Sequence, residues 1–94
     1  MNDITYHLEI SLRYNAPHDS VVCIMGEIPE LGCWKEMKCW MRQTDGDFWI
    51  TEKPIITNKY FFRMKFCVVA SDRQTVLHWE KGIDRVNDLE LLPL

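Results

Sequence analysis

The chain predicts an all-β fold, an antiparallel β-sandwich of seven or eight strands, and three observations carry that expectation. Ile4, Tyr6, Leu8, Ile10 and Leu12 alternate with Thr5, His7, Glu9, Ser11 and Arg13, the period-two pattern of a strand with one buried face. No stretch sustains the 3.6-residue period of an amphipathic helix. Turn-forming clusters also recur at short intervals, and several short strands between such clusters favour a sandwich of Greek-key type.

After the first strand, Asn15-Ala16-Pro17-His18-Asp19-Ser20 reads as a loop. Val21-Val22-Cys23-Ile24-Met25 is apolar on both faces, as a central strand requires, and Gly26 closes it. Ile28-Pro29-Glu30-Leu31-Gly32 is expected to be irregular, because Pro and Gly punctuate it too closely. Short strands around Cys39–Arg42 and Phe48–Thr51 flank the turn Thr44-Asp45-Gly46-Asp47. Lys59–Val69 is a long strand with Tyr60, Phe62, Met64, Phe66 and Val68 on one face. Its other face, Phe61, Arg63, Lys65, Cys67 and Val69, is apolar with two cations. Val76–Trp79 and Val86–Leu92 complete the set, separated by the turn Lys81-Gly82-Ile83-Asp84.

Ninety-four residues make one domain spanning 1–94, too few for a second core. A net charge of −3 and a pI near 5.5 leave no basic footprint for nucleic acid and no attraction to acidic lipid. No apolar run nears the roughly 20 residues that span a bilayer, and Met1-Asn2-Asp3-Ile4 opens no secretion signal. The expectation is a cytoplasmic monomer with no membrane contact. Its four cysteines show no zinc or CxxC spacing and are expected to be free thiols. Cys23, Cys39 and Cys67 lie in apolar strand patterns as small buried hydrophobes, whereas Cys33 beside Gly32 is expected at the surface.

Catalytic constellations are missing from the sequence: no GxSxG, no glycine-rich phosphate loop, no HExxH and no Cys–His frame. No cofactor is expected, and a sandwich this small has little depth for a catalytic cleft. Four tryptophans are many for this length. Trp34, Trp49 and Trp79 each stand beside turn chemistry, where a sandwich presents ligand groups. An exposed indole suits a sugar because the axial C–H bonds of a glucose ring form an apolar patch that lies flat on the π-face. The hydroxyl rim then needs donors and acceptors at the edge, which Lys65, Glu80 and Asp84 can supply.

Gly26-Glu27-Ile28-Pro29-Glu30-Leu31-Gly32-Cys33-Trp34 resembles the "G-S-x-x-x-L-G-x-W" segment of starch-binding domains, the family 20 carbohydrate-binding modules. Met64-Lys65-Phe66 is similar to that family's "Y-K-F" and Trp79-Glu80-Lys81-Gly82-Ile83-Asp84-Arg85 to its "W-E-x-x-x-N-R". Phe48-Trp49 matches the tryptophan that opens a middle strand. The matches fall in family order across residues 21 to about 92. Leu31-Gly32 between Gly26 and Trp34 separates the chain from the glycogen-binding domains of kinase β-subunits, whose tryptophan stands closer to the glycine.

The resemblance implies an immunoglobulin-like topology and a non-catalytic module that binds an α-1,4-glucan (starch, glycogen or maltooligosaccharide). Such a module tethers an attached domain, for which a phosphatase, a phosphodiesterase or a glucan transferase are the expected kinds. By motif, the family's platform falls on Trp34, Lys65, Trp79, Glu80 and Asp84, the last replacing an asparagine. An aspartate still accepts from glucose hydroxyls but cannot donate. Laforin-type glucan phosphatases are similar in this aspartate and in "P-E-L-G-x-W". A second family site implies Trp49, with Tyr14 or His18 standing in only if the loop shifts; Gln43-Thr44-Asp45 replaces its other tyrosine, so that site is expected to be incomplete. Each residue also has a plainer reading: Trp34 and Trp79 as core plugs, Lys65 as a snorkelling surface cation, Asp84 as a turn residue paired with Arg85. A degenerate module of the same fold that binds a protein is the alternative function.

Overall fold

A computed structural model describes residues 4–90. Nine strands run through them: β1 (Tyr6–Leu8), β2 (Ser11–Arg13), β3 (Ser20–Gly26), β4 (Cys39–Gln43), β5 (Phe48–Thr51), β6 (Ile55–Thr57), β7 (Phe61–Ala70), β8 (Val76–Trp79) and β9 (Arg85–Asp88). All pairings are antiparallel. β1 and β6 form a two-stranded sheet, and a larger curled sheet runs β2-β5-β4-β3-β7-β8. β7 is long enough to pair twice on one side, with β9 along Phe61–Met64 and with β8 along Cys67–Val69.

The antiparallel sandwich is therefore as the alternation predicts, and the strand count is higher for local reasons. The first apolar-alternating segment divides at Glu9–Ile10, where the chain changes partner from β6 to β5. Ile10 N donates to Thr51 Oγ1 (3.3 Å) and Thr51 N to the Ile10 carbonyl (3.1 Å), so the crossing is hydrogen-bonded although neither strand continues through it. The opposite segment breaks at the same level, because Pro54 stands between β5 and β6. β6, only three residues long, has no readable period of its own. The segment expected to be irregular holds short 3₁₀ turns over Pro29–Trp34, kinked where Gly32 and Cys33 leave helical backbone, with Pro29 where a missing N–H costs nothing. Of the last expected strand, residues 86–88 lie within β9, and its Leu91 and Leu92 lie outside the described residues.

The core faces the inside of the curl. Val22 and Ile24 from β3, Met41 from β4, Trp49 from β5 and Phe62, Met64 and Phe66 from β7 are buried together. Burying each such side chain stabilises the fold by about 1.5–3 kcal/mol. The central strands are buried on their outer face as well, where Cys23, Met25, Cys67 and Val69 pack beneath Met37, Trp40 and Val76. This second cluster explains why β3 is apolar on both sides.

Candidate functional site

The segment from Gly26 to Trp34 sets where the Trp34 side chain stands. A Cβ on Gly26 would stand 2.6 Å from the Arg63 carbonyl oxygen and 2.6 Å from Leu31 Cδ1, so only glycine lets the strand end and the helix meet. Leu31 uses that room to bury itself completely in the core, with Ile28 beside it. The chain then reverses through left-handed backbone at Gly32 (φ 84°), Cys33 (φ 53°) and Trp34 (φ 62°), closed by Lys35 N and Glu36 N donating to the Gly32 carbonyl. A non-glycine residue in this region costs about 1–2 kcal/mol. Burial of Leu31 holds the turn against that cost, and the Trp34 side chain emerges 37% exposed.

Three predicted residues are joined directly. Lys65 Nζ donates to the carbonyls of Glu80 (3.2 Å) and Gly82 (2.6 Å) and lies 3.8 Å from Asp84 Oδ1. Gly82 (φ 94°) supplies the left-handed turn that brings its own carbonyl and Asp84 around the ammonium. The Glu80 carboxylate is held on both oxygens: Oε1 accepts from Phe66 N (3.3 Å) and Oε2 from Arg85 Nε (2.6 Å). The Arg85 guanidinium also lies over the Phe66 ring, 5.0 Å from its centroid. Asp84 thus pairs with Lys65, and Arg85 clamps Glu80 rather than Asp84.

Register places Trp79 on the same face as Lys65. Trp79 pairs with Cys67 and Lys65 with Met25, and directly paired residues share a face. Met37, three residues beyond Trp34, packs against the cluster of Cys23, Met25, Cys67 and Val69, so the chain leaving Trp34 returns over that face. Trp79 is 45% exposed. Among the described residues, neither the Trp34 nor the Trp79 indole N–H donates to a protein acceptor. Ile83, 92% exposed at the tip of the Lys65-bound loop, is an apolar neighbour that the sequence did not single out.

The two second-site candidates fall differently. Trp49 is 3% exposed, packed in the core with its Nε1–H donating to the Tyr14 carbonyl at 3.0 Å. The expectation that it presents a ring to sugar is corrected here, since neither ring face is open. The reason is register: Trp49 pairs with Leu12 and shares its inward face. Phe48 takes the outward position and is exposed, with Arg13 over its ring. Tyr14 is exposed, but its tie to Trp49 runs through its backbone.

Among the described residues no group of three or more His, Cys, Asp or Glu is arranged to hold a metal ion, and no helix is long and apolar enough to cross a membrane. Cys23, Cys39 and Cys67 are buried free thiols and Cys33 is exposed. What matches this sandwich is a family of carbohydrate-binding modules, non-catalytic in themselves. The family model described as starch binding domain matches residues 5–90, nearly the whole chain, and the chain belongs to that family. No curated protein matches it.

Proposed function

We propose that residues 1–94 act as one module that binds α-1,4-glucan and holds an attached domain on the polymer. The observation that carries this reading is the pair of half-exposed indoles with unpartnered N–H groups, of which Trp79 shares a sheet face with Lys65 of the Lys65–Glu80–Asp84 cluster. Each indole offers an apolar face to the C–H patch of a glucose ring. The N–H groups donate to hydroxyls, and Asp84, paired on one side only at 3.8 Å, accepts from them. Two platforms on different elements, a helix end and a sheet edge, suit the bend of an α-1,4 chain better than the straight β-1,4 chain.

Trp34→Ala and Trp79→Ala test it by calorimetric titration with β-cyclodextrin and with cellohexaose, alongside thermal unfolding without sugar. Each loss is expected to weaken cyclodextrin binding by about 2 kcal/mol, the scale of a hot spot, which is roughly thirtyfold. Unfolding temperatures are expected to change little, because half-exposed residues leave no core cavity. Cyclodextrin affinity unchanged in both variants, or cellohexaose bound as tightly as cyclodextrin, refutes the reading. A folded wild type that binds neither sugar favours a module that has turned its aromatic patch to a protein.

A further inference from the structure

The platform leaves Trp40 unexplained. Its side chain leans on the outer cluster of Cys23, Met25, Cys67 and Val69, and it borders a groove of about 450 Å³ between β4, the β5–β6 turn and the end of β8's preceding loop. The groove lies within the size range of small-ligand sites. Its polar lining mixes acceptors and donors: Glu30 and Glu52 against Lys38, Lys53 and Arg73. An indole ringed by carboxylates and cations is what a neutral polyhydroxyl ligand requires, because each hydroxyl both donates and accepts.

The outer face of Trp40 is occupied from within the protein. The Arg73 guanidinium lies over the ring, Cζ 4.7 Å from the centroid, and Nη2 donates to Glu52 Oε1 at 2.6 Å. Both contacts are at the surface, with both side chains partly exposed, and contacts of this kind are weak. We propose that the Trp40 groove is a second α-glucan subsite, and that sugar enters it by displacing Arg73 from the indole. This rests on the proposed α-glucan binding of the module. It does not use Trp49 or Tyr14.

Because Arg73 competes with sugar for the ring, its removal is expected to improve binding, which a purely structural stacking pair would not do. The experiment uses the folded protein carrying Trp79→Ala, which weakens the platform, and titrates maltoheptaose by nuclear magnetic resonance. Residual shifts are expected at Lys38, Lys53 and the Trp40 indole. Adding Arg73→Ala is expected to tighten that residual binding severalfold, and adding Trp40→Ala to remove it. Arg73 is a surface residue, so its variant decides the matter even where Trp40→Ala fails to fold. Unchanged or weaker affinity with Arg73→Ala, or shifts confined to residues 79–84, overturns the subsite. If wild-type protein binds no maltoheptaose, the α-glucan reading itself fails; if it binds and Arg73→Ala brings no gain, only the subsite does.

Discussion

Trp49 and Trp79 are the same residue type in opposite environments, and replacing each should produce opposite results. Trp49 is 3% exposed and donates its indole N–H to the Tyr14 carbonyl at 3.0 Å, so Trp49→Ala removes a large core side chain and strands a carbonyl. Truncating a buried tryptophan costs about 3–5 kcal/mol. For a domain of this size each kcal/mol lowers the melting temperature by roughly 4–8 °C, so the fall should be on the order of 12–40 °C. Trp49→Phe separates the two contributions: it keeps most of the ring and loses the hydrogen bond, worth about 1 kcal/mol. Trp79, 45% exposed and without such a bond, should change the melting temperature by only a few degrees on replacement by Ala. Thermal unfolding followed by near-ultraviolet circular dichroism measures all three variants, with cyclodextrin titration of those that fold. Trp49→Phe should bind sugar as the wild type does. A stable Trp49→Ala protein with impaired sugar binding would refute the assignment of Trp49 to the core.

Three further outcomes follow from the thiols and from Lys65. Under native conditions at pH 8, a thiol reagent should label Cys33 alone, and denaturant should release Cys23, Cys39 and Cys67; rapid native labelling of more than one thiol would contradict the packing. Burial, with Glu52 nearby, pushes Cys39 from 9.0 up to about 11, so its neutral form stabilises the fold below pH 9 and that contribution fades as pH rises from 9 to about 11. A urea midpoint that is flat across this window argues against it. Lys65→Met keeps the aliphatic stem but leaves the Glu80 and Gly82 carbonyls without their cationic donor. Amide exchange at residues 82–84 should quicken and sugar affinity should fall severalfold, whereas unchanged exchange would show that the ammonium does not hold the loop.

The fold was largely legible because strand parity is a local property. The alternation from Ile4 to Leu12 was enough to give the buried face of the first segment, and apolar character on both sides of Val21–Met25 was enough to make it central. Parity fails where two neighbouring aromatics compete: at Phe48-Trp49 one must point in and one out, and either order reads well. The missing signal was pairing with Leu12, whose inward direction the first segment already indicated; a strand partner is a tertiary fact that spacing along the chain does not carry. The helix at Pro29–Trp34 was hidden for a different reason. Its Pro and Gly punctuation is that of a loop, and the helix exists because Leu31 plugs the core through the gap left by Gly26. In the site, spacing indicated the residue types around Lys65 but not their partners. Arg85 reaching Glu80, five residues back, depends on the left-handed turn at Gly82.

That turn bears on how a surface this small can bind a flexible polymer. A sugar chain loses freedom on binding, and a loop that also had to order itself would add about 0.5–1.5 kcal/mol for each side chain immobilised. Here the loop is ordered in advance by folding. Lys65 holds two of its carbonyls, Phe66 N and Arg85 hold both oxygens of Glu80, and Leu31 holds the strained turn that carries Trp34. The consequence is a division of labour. Lys65 spends most of its donors, and Glu80 one acceptor site on each oxygen, inside the protein, so in the proposed site both act on a ligand chiefly by fixing Trp79 and Asp84. Replacing Lys65 should therefore be felt through loop order as well as through any contact with sugar, whereas replacing Trp34 or Trp79 removes apolar contact area and an N–H donor without disturbing the loop. A calorimetric signature separates the two cases: loss of a platform indole should reduce the heat-capacity change of binding, because less apolar surface is buried. Loss of the Lys65 ammonium should leave that change near its wild-type value and appear as a less favourable entropy of binding.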